Sequence, residues 1–291
     1  MTASVAADRF EAQRGALVAH AYRMLGERAE AEDAVQDAFV RWEQALRHDE
    51  IADERAYLRA AVTRLCLDRL RSARARREVY VGPWLPEPVV GDPSADPQAA
   101  VTLADDVSFA LLLVLERLSP LERAAFLLHD ALDVPFAEIA ATLGRSEAAV
   151  RQLASRARTH VRESGARRSY AREDSLRLRD ALFAALSADD LPALQRLLTD
   201  DIVLLSDGGG KAVAALNPLA GIDRVSRFLQ GITRKNGAAI RAVVPATING
   251  APGFVLFGER EVNSTFSFDV AEGKIAAIYI VRNPDKLRRL L

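Results

Sequence analysis

The chain has 291 residues, of which 49% are hydrophobic and 27% charged, with a formal net charge of −1. That length accommodates two or three compact units, no apolar run approaches the ~18 residues of a membrane span, and the first ten residues carry no hydrophobic stretch of secretory type. The single cysteine, Cys66, excludes an internal disulfide and fits a small buried side chain in a reducing compartment, so the expected location is the cytoplasm.

Apolar positions from Leu17 to Trp42 recur at helical spacing, and residues 8–47 are read as helix. A second long helix is expected over 57–78, with one apolar stripe and arginines elsewhere. Residues 79–100 hold five of the chain's twelve prolines, a density that excludes regular helix or sheet and marks a stiff linker. Helical pattern resumes at 103 and continues to about 164. Two further helices are expected over 172–199 and a third over 221–232. Around and after them DIVLLS, AIRAVVPATI, GFVLFG, NSTFSFDV and KIAAIYIV read as strands of one antiparallel sheet. Helices first and strands last is an α+β order, with a boundary near 168.

Charge is unevenly spread along these elements. Residues 8–54 hold 12 acids against 6 arginines. Residues 55–77 hold 8 arginines against Asp68 alone, and residues 145–168 hold 7 arginines against Glu147 and Glu163. Solvated helix faces usually alternate in sign, so two basic blocks suggest two contacts with a polyanion. The second block lies in PFAEIAATLGRSEAAVRQLASRARTHVR (135–162). There a short helix with Ala137, Ile139, Ala140 and Leu143 on one face meets a turn at Gly144, and Ser146 caps a second helix. This is a helix-turn-helix plan, and its second helix would present Arg145, Glu147, Arg151, Gln152 and Ser155 to a major groove.

Residues 8–164 resemble a sigma factor of the extracytoplasmic-function (ECF) type. AEDAVQDAFVRWEQA (31–45) is similar to the region 2.2 helix that docks on the polymerase β′ clamp. AYLRAAVTRLCLDRLRSARARR (56–77) is similar to regions 2.3 and 2.4, which open and read the −10 element. Residues 118–158 are similar to region 4, which reads the −35 element. The resemblance implies polymerase contacts by Glu32, Asp33, Asp37, Phe39 and Trp42. It implies −10 contacts by Arg64, Arg69, Arg71, Arg74, Arg76 and Arg77, and adds Arg156 to the −35 set. A base pocket is expected in a turn near Thr63–Asp68, with Asp68 either part of it or paired with Arg64 or Arg71. The implied partners are core RNA polymerase, at the β′ clamp and the β flap, and promoter DNA.

The linker narrows the resemblance. GPWLPEP (82–88), DGGGK (207–211) and NPDKL (283–287) together resemble the ECF41 group, whose members carry a C-terminal SnoaL-like domain. The implied fold is multidomain: two all-α sigma domains, region 2 (1–80) and region 4 (101–166), joined by a Pro-rich linker (81–100) and followed by an α+β NTF2-like (SnoaL-like) cone (170–291). The resemblance implies that Trp84, Leu85 and Pro86, Asp207, Gly208, Gly209, Gly210 and Lys211, and Asn283, Pro284, Asp285, Lys286 and Leu287 make regulatory contacts between domains. An exposed tryptophan in a polar linker is unusual, so Trp84 is expected to pack on another domain.

SDGGGK (206–211) is not a phosphate loop. A Walker A loop needs four residues between its first glycine and its Gly-Lys pair, then Ser or Thr, whereas here Ala212 follows Lys211. It reads as a glycine turn between two strands, with Asp207 and Lys211 as exposed contact charges. Asn283 and Pro284 open a short terminal helix whose apolar stripe is Leu287, Leu290 and Leu291. No catalytic residue, metal or cofactor is expected: residues 169–291 contain no histidine or cysteine, and Asp201, Asp223 or Asp269 would have to act as a buried base without an evident partner. The cavity of such a cone leaves room for a small ligand. Two rival classes are a one-component helix-turn-helix regulator with a ligand-sensing domain and a SnoaL-like enzyme with a helical appendage. The acidic helix 31–45 argues against the first.

Overall fold

A computed structural model describes residues 3–47, 51–91, 108–163, 172–259 and 261–290. The chain divides into two compact units, one of residues 1–78 and 111–166, the other of residues 79–110 and 167–291. The described part of the Pro-rich segment, residues 79–91, groups with the C-terminal residues; the rest of the expected linker lies outside the described residues.

The helical unit begins with α1 (Ala3–Leu25), α2 (Arg28–Ala45) and α3 (Glu54–Glu78). The expected single helix over 8–47 is two helices, because Gly26 takes a φ of 73° and ends α1. Phe10, Leu17, Tyr22, Met24, Leu58 and Val62 build the interior between these three helices. Four more follow: α4 (Phe109–Arg117), α5 (Pro120–Phe126), α6 (Phe136–Leu143) and α7 (Glu147–Glu163), with one π-helical turn at Leu127–Ala131. Residues 103–107, where helical pattern is expected to resume, lie outside the described residues. Ser119 and Glu122 form a reciprocal capping box on α5. Gly144, left-handed with φ 62°, ends α6, and Ser146 Oγ accepts from Ala149 N–H at 3.3 Å where α7 starts. Ile139, Ala140, Val150, Leu153 and Ala154 close over Ala125 and Leu128 in one core.

The second unit is built on a seven-stranded sheet of order β1-β4-β5-β6-β7-β2-β3. The strands are β1 (Val90–Gly91), β2 (Leu198–Asp207), β3 (Leu219–Ala220), β4 (Ala242–Ile248), β5 (Ala251–Phe257), β6 (Val262–Ala271) and β7 (Lys274–Val281). Helices α8 (Arg172–Ser187), α9 (Leu191–Leu197) and α10 (Ile222–Asn236) cover one face, and α11 (Pro284–Leu287) ends the fold. Leu182, Leu194, Val225 and Leu229 meet Phe254, Phe266, Phe268 and Ile278 in its core. Asn249 and Gly250, with φ 49° and 72°, make the two-residue turn between β4 and β5. This is the α+β cone that the resemblance implies.

Three expectations are corrected. The sheet is not wholly antiparallel, because β2 and β7 pair in parallel; the returning chain reaches β7 through the β4–β6 meander instead of a hairpin. The glycine turn is not followed directly by a strand: residues 211–218 form none, and only Leu219–Ala220 returns to pair with β2. The Pro-rich segment is not devoid of sheet, since Val90 and Gly91 pair with Ile248 and Thr247 of β4, at an edge where proline's missing N–H costs nothing.

Candidate nucleic-acid interface and linker clamp

The three short motifs meet around one carboxylate. Asp207, at the end of β2, is fully buried. Its Oδ1 accepts from the Tyr80 hydroxyl at 2.7 Å, and its Oδ2 accepts from Leu85 N–H at 2.9 Å and from Lys286 Nζ at 2.7 Å. Lys286 also donates to the Leu85 carbonyl, and its ammonium stands 5.1 Å from the Tyr80 ring centre and 4.4 Å from that of Trp84. A buried ammonium is thus met by a carboxylate, a carbonyl and two aromatic faces, the arrangement that offsets loss of hydration. The exposed contact role expected of Asp207 is corrected: it is buried beneath residues 80–85, and the expected Trp84 contact is made by Lys286. Lys211 is exposed and pairs with the exposed Asp285.

The glycines are required by what crowds them. A Cβ on Gly209, whose φ is 59°, would stand 2.2 Å from Asn283 Nδ2 and 3.0 Å from the Tyr80 hydroxyl oxygen. A Cβ on Gly208 would lie 2.2 Å from the Ala212 carbonyl oxygen. Asn283 caps α11 by accepting from Asp285 N–H, donates to the Tyr80 hydroxyl at 2.8 Å, and its backbone N–H donates to the Asp207 carbonyl at 3.0 Å. Leu85, Pro86 and Leu287 are buried, Pro284 opens α11, and Gly210 approaches Val81. Further along, Val89 N–H donates to Asn249 Oδ1 at 3.0 Å, and Phe109 stacks on Tyr279 at 5.3 Å.

In the helical unit, α7 turns Glu147, Arg151, Gln152, Ser155 and Arg156 outward while Val150, Leu153, Ala154 and Ala157 face in, and Arg145 is exposed in the turn before it. Arg151 pairs with Glu147 at 2.9 Å and lies over the Phe136 ring at 4.7 Å. Arg156 pairs with Glu122 at 3.0 Å. The α3 arginines are differently placed. Arg64 donates to the carbonyls of Thr142 and Ala141 at 3.0 and 3.2 Å, at the C-terminal end of α6. Arg59 pairs with Glu138 of α6. Arg69 pairs with Asp37 at 2.6 Å, and Arg71 with Asp68 at 3.2 Å, which decides the partner of Asp68. Arg74, Arg76 and Arg77 fall in the last turns of α3, with side chains outside the described residues.

Two site expectations in this unit are corrected. No turn exists near Thr63–Asp68: α3 is continuous, Thr63 bonds to His20 at 2.9 Å in the interior, and Cys66 is buried with its thiol pushed up to about 12 by burial. Trp42 is fully buried, 6.2 Å from Phe10 and 6.1 Å from Phe39, so it builds the bundle and cannot meet a partner. Of the remaining α2 residues, Asp33 and Asp37 are exposed, while Glu32, held by Arg28 at 2.9 Å, and Phe39 are half-buried.

The cone encloses a cavity of about 620 Å³, with Phe183, Phe228, Ile232, Val243, Phe254 and Phe266 among its walls. Its described lining includes no Asp, Glu, His or Cys. Asp201 and Asp223 are exposed. Asp269 accepts from the Tyr279 hydroxyl at 2.7 Å, away from the cavity, and burial raises its pKa. Among the described residues, none of these carboxylates lines the cavity.

A helical unit with two arginine-rich helices, followed by an α+β unit, is an architecture that comparisons with known proteins place in a class of transcription factor. Residues 9–76 match the family model Sigma-70 region 2, and residues 108–161 match Sigma-70, region 4. The chain is 44% identical over 287 residues to the ECF RNA polymerase sigma factor SigJ of Mycobacterium tuberculosis, covering 95% of this chain and 91% of that protein. It is 35% identical over 283 residues to the probable ECF RNA polymerase sigma factor SigI of the same species, covering 96% and 93%. The crystal structure of the M. tuberculosis SigJ protein superposes with a TM-score of 0.79 at 40% identity, covering 97% of this chain and 98% of that one. The chain belongs to the ECF RNA polymerase sigma factors, a family of transcription initiation factors without enzymatic activity.

Proposed function

We propose that this sigma factor binds core RNA polymerase through the exposed acids of α2, reads the −10 element with α3 and the −35 element with α7, and is regulated in cis by its C-terminal unit. The α2 acids Asp33 and Asp37 suit the basic β′ clamp, and region 4 suits the β flap; the place of action is the cytoplasm, where the polymerase works. The outward side chains of α7 support the −35 reading, and the arginine run of α3 supports the −10 reading by its charge.

One observation carries the regulatory reading: the buried Asp207 takes hydrogen bonds from Tyr80, Leu85 and Lys286. Residues 79–91 lie in the chain between α3 and the region 4 helices, so whatever holds them limits how far those helices can separate. A tethered regulator acts at high effective concentration, and a modest grip suffices. The test is promoter-dependent transcription with core polymerase, comparing the full chain with Asp207→Asn. The variant should change transcript yield while polymerase co-purification persists. Unchanged yield would remove the regulatory reading, and no promoter-specific transcript from either protein would remove the promoter assignments.

A further inference from the structure

The cavity and the linker clamp share a wall. Ser206 lines the cavity, while Asp207, the next residue of β2, holds the linker on the opposite side, as strand alternation requires. The same parity recurs one strand away: Arg282 lines the cavity, and Asn283 donates to Tyr80. The two pairs are joined, because Arg282 N–H donates to the Asp207 carbonyl at 2.7 Å. The Arg282 guanidinium donates to the Val213 carbonyl at 2.6 Å, and Val213, Ala214 and Ala215, the continuation of the glycine loop, complete that wall.

The lining also specifies chemistry. Its walls are largely aliphatic and aromatic, and its charged members are Arg282 and Lys235, with no acid among the described lining residues. Arg282 is partly withdrawn from water, which lowers its pKa, and meets no carboxylate among the described residues. A half-buried guanidinium at the wall of an apolar chamber is a complement to an anionic head on a hydrophobic body. A volume of about 620 Å³ lies within the ~300–1,000 Å³ range of small-molecule sites.

We propose that the C-terminal cavity binds a small amphiphile with one anionic head at Arg282 and an apolar tail among Phe228, Ile232, Val243 and Phe254, and that its occupancy tightens the grip on the linker. The coupling follows from linkage. The 206–215 segment both walls the cavity and holds residues 80–85, so an opening that releases the linker also dismantles the ligand site. A ligand at ten times its Kd then lowers the open population about 11-fold. This goes beyond the sigma-factor reading and is measured without polymerase.

The probe is decanoate, titrated calorimetrically into the full chain, with octanoate and dodecanoate for tail length and decyltrimethylammonium for head charge. Saturable one-to-one binding is expected, tightening about 4-fold per added methylene and at least 10-fold weaker for the cation. Arg282→Met should abolish the preference for the anion, and Ile232→Trp should block the cavity to all probes. At ten times Kd, amide exchange at Leu85, which donates to Asp207, should slow about 10-fold, while Val89, held by Asn249, changes less. Absence of saturable binding in the unaltered protein, or equal affinity for both head charges, overturns the site. Binding with Leu85 unaffected, or with Leu85 and Val89 slowed alike, overturns the coupling. Transcription by the unliganded protein, tested separately, decides the sigma reading whatever the outcome here.

Discussion

Removing one member of the Asp207–Lys286 pair should release the linker. The two groups are almost wholly withdrawn from water, with side-chain exposures of 0% and 8%, at 2.7 Å. Asp207→Ala would leave the Lys286 ammonium beside the Leu85 carbonyl and two rings without its counter-charge, and Leu85 N–H without its acceptor. Breaking a buried pair from one side costs about 3–5 kcal/mol. With a urea slope of about 2 kcal/mol/M, that corresponds to a midpoint lower by about 1.5–2.5 M. Urea titration followed by Trp84 fluorescence reads the release, with Trp84→Phe as the blank that isolates Trp42. Lys286→Met should cost a similar amount, and Asp207→Ala with Lys286→Met should cost less than the sum by about 2 kcal/mol or more. The exposed Lys211–Asp285 pair provides the contrast: Lys211→Ala should cost only about 0–1 kcal/mol. Additive single effects, or a midpoint shift for Asp207→Ala no larger than for Lys211→Ala, would refute the view that Asp207 organises the clamp.

Gly209→Ala should undock Tyr80, because the added methyl collides with Asn283 Nδ2; it should shift the Trp84 transition in the direction of Asp207→Ala. His20 sets a pH dependence on the helical unit. Burial first, then Arg23 and Arg59, lower its pKa from 6.5 to about 4. The unfolded chain therefore takes up the proton more readily, and stability falls as pH drops from about 6.5 toward 4, by about 2 kcal/mol at pH 5. His20→Gln should flatten that slope in urea titrations from pH 7 to pH 5. In promoter binding, Arg151→Ala should cost about 1–3 kcal/mol and relax preference at one −35 base pair if it reads a base edge. A uniform loss across sequences, with a smaller salt slope, would assign Arg151 to phosphate.

What the sequence discloses depends on how local its cause is. The helix-turn-helix is legible because Gly144 and Ser146 punctuate it and Val150, Leu153, Ala154 and Ala157 keep a helical period on its inner face. The convergence of WLPEP, DGGGK and NPDKL is legible as three unusual motifs, but its geometry is not. Asp207 follows the inward run Ile202, Leu204 and Ser206 on β2 and so takes the other face, where its partner Lys286 is 79 residues away. A charged residue beside glycines reads as exposed until that partner is known. Trp42 continues the stripe Ala31, Ala34, Val35 and Ala38, so periodicity alone places it in the core; its contact role rested only on the resemblance of this acidic helix to a clamp-docking one. Parallel pairing of β2 with β7 has no local signal, because it depends on where the β4–β6 meander delivers the chain.

The proposed promoter assignments impose a distance on the helical unit. The −10 and −35 elements are about 25 base pairs apart, which at ~3.4 Å per pair is roughly 85 Å along the duplex. Here Arg64 of α3 caps the carbonyls of Ala141 and Thr142 in α6, and Arg59 holds Glu138. Arg123 of α5 reaches the Met24 carbonyl at 2.5 Å, where burial lowers its pKa to about 10. Helices in side-chain contact cannot read elements that far apart on one straight duplex. Under the proposed assignments, engagement of both elements would require these contacts to break, which would free Arg59 and Arg64 for phosphates. The reach permitted after that break is set by the chain joining α3 to α4, and residues 79–91 of that chain are held on the C-terminal unit by Asp207 and Asn249. Under the proposed assignments, a change at Asp207 would therefore act on promoter reading through residues 79–91 and not through a contact with DNA.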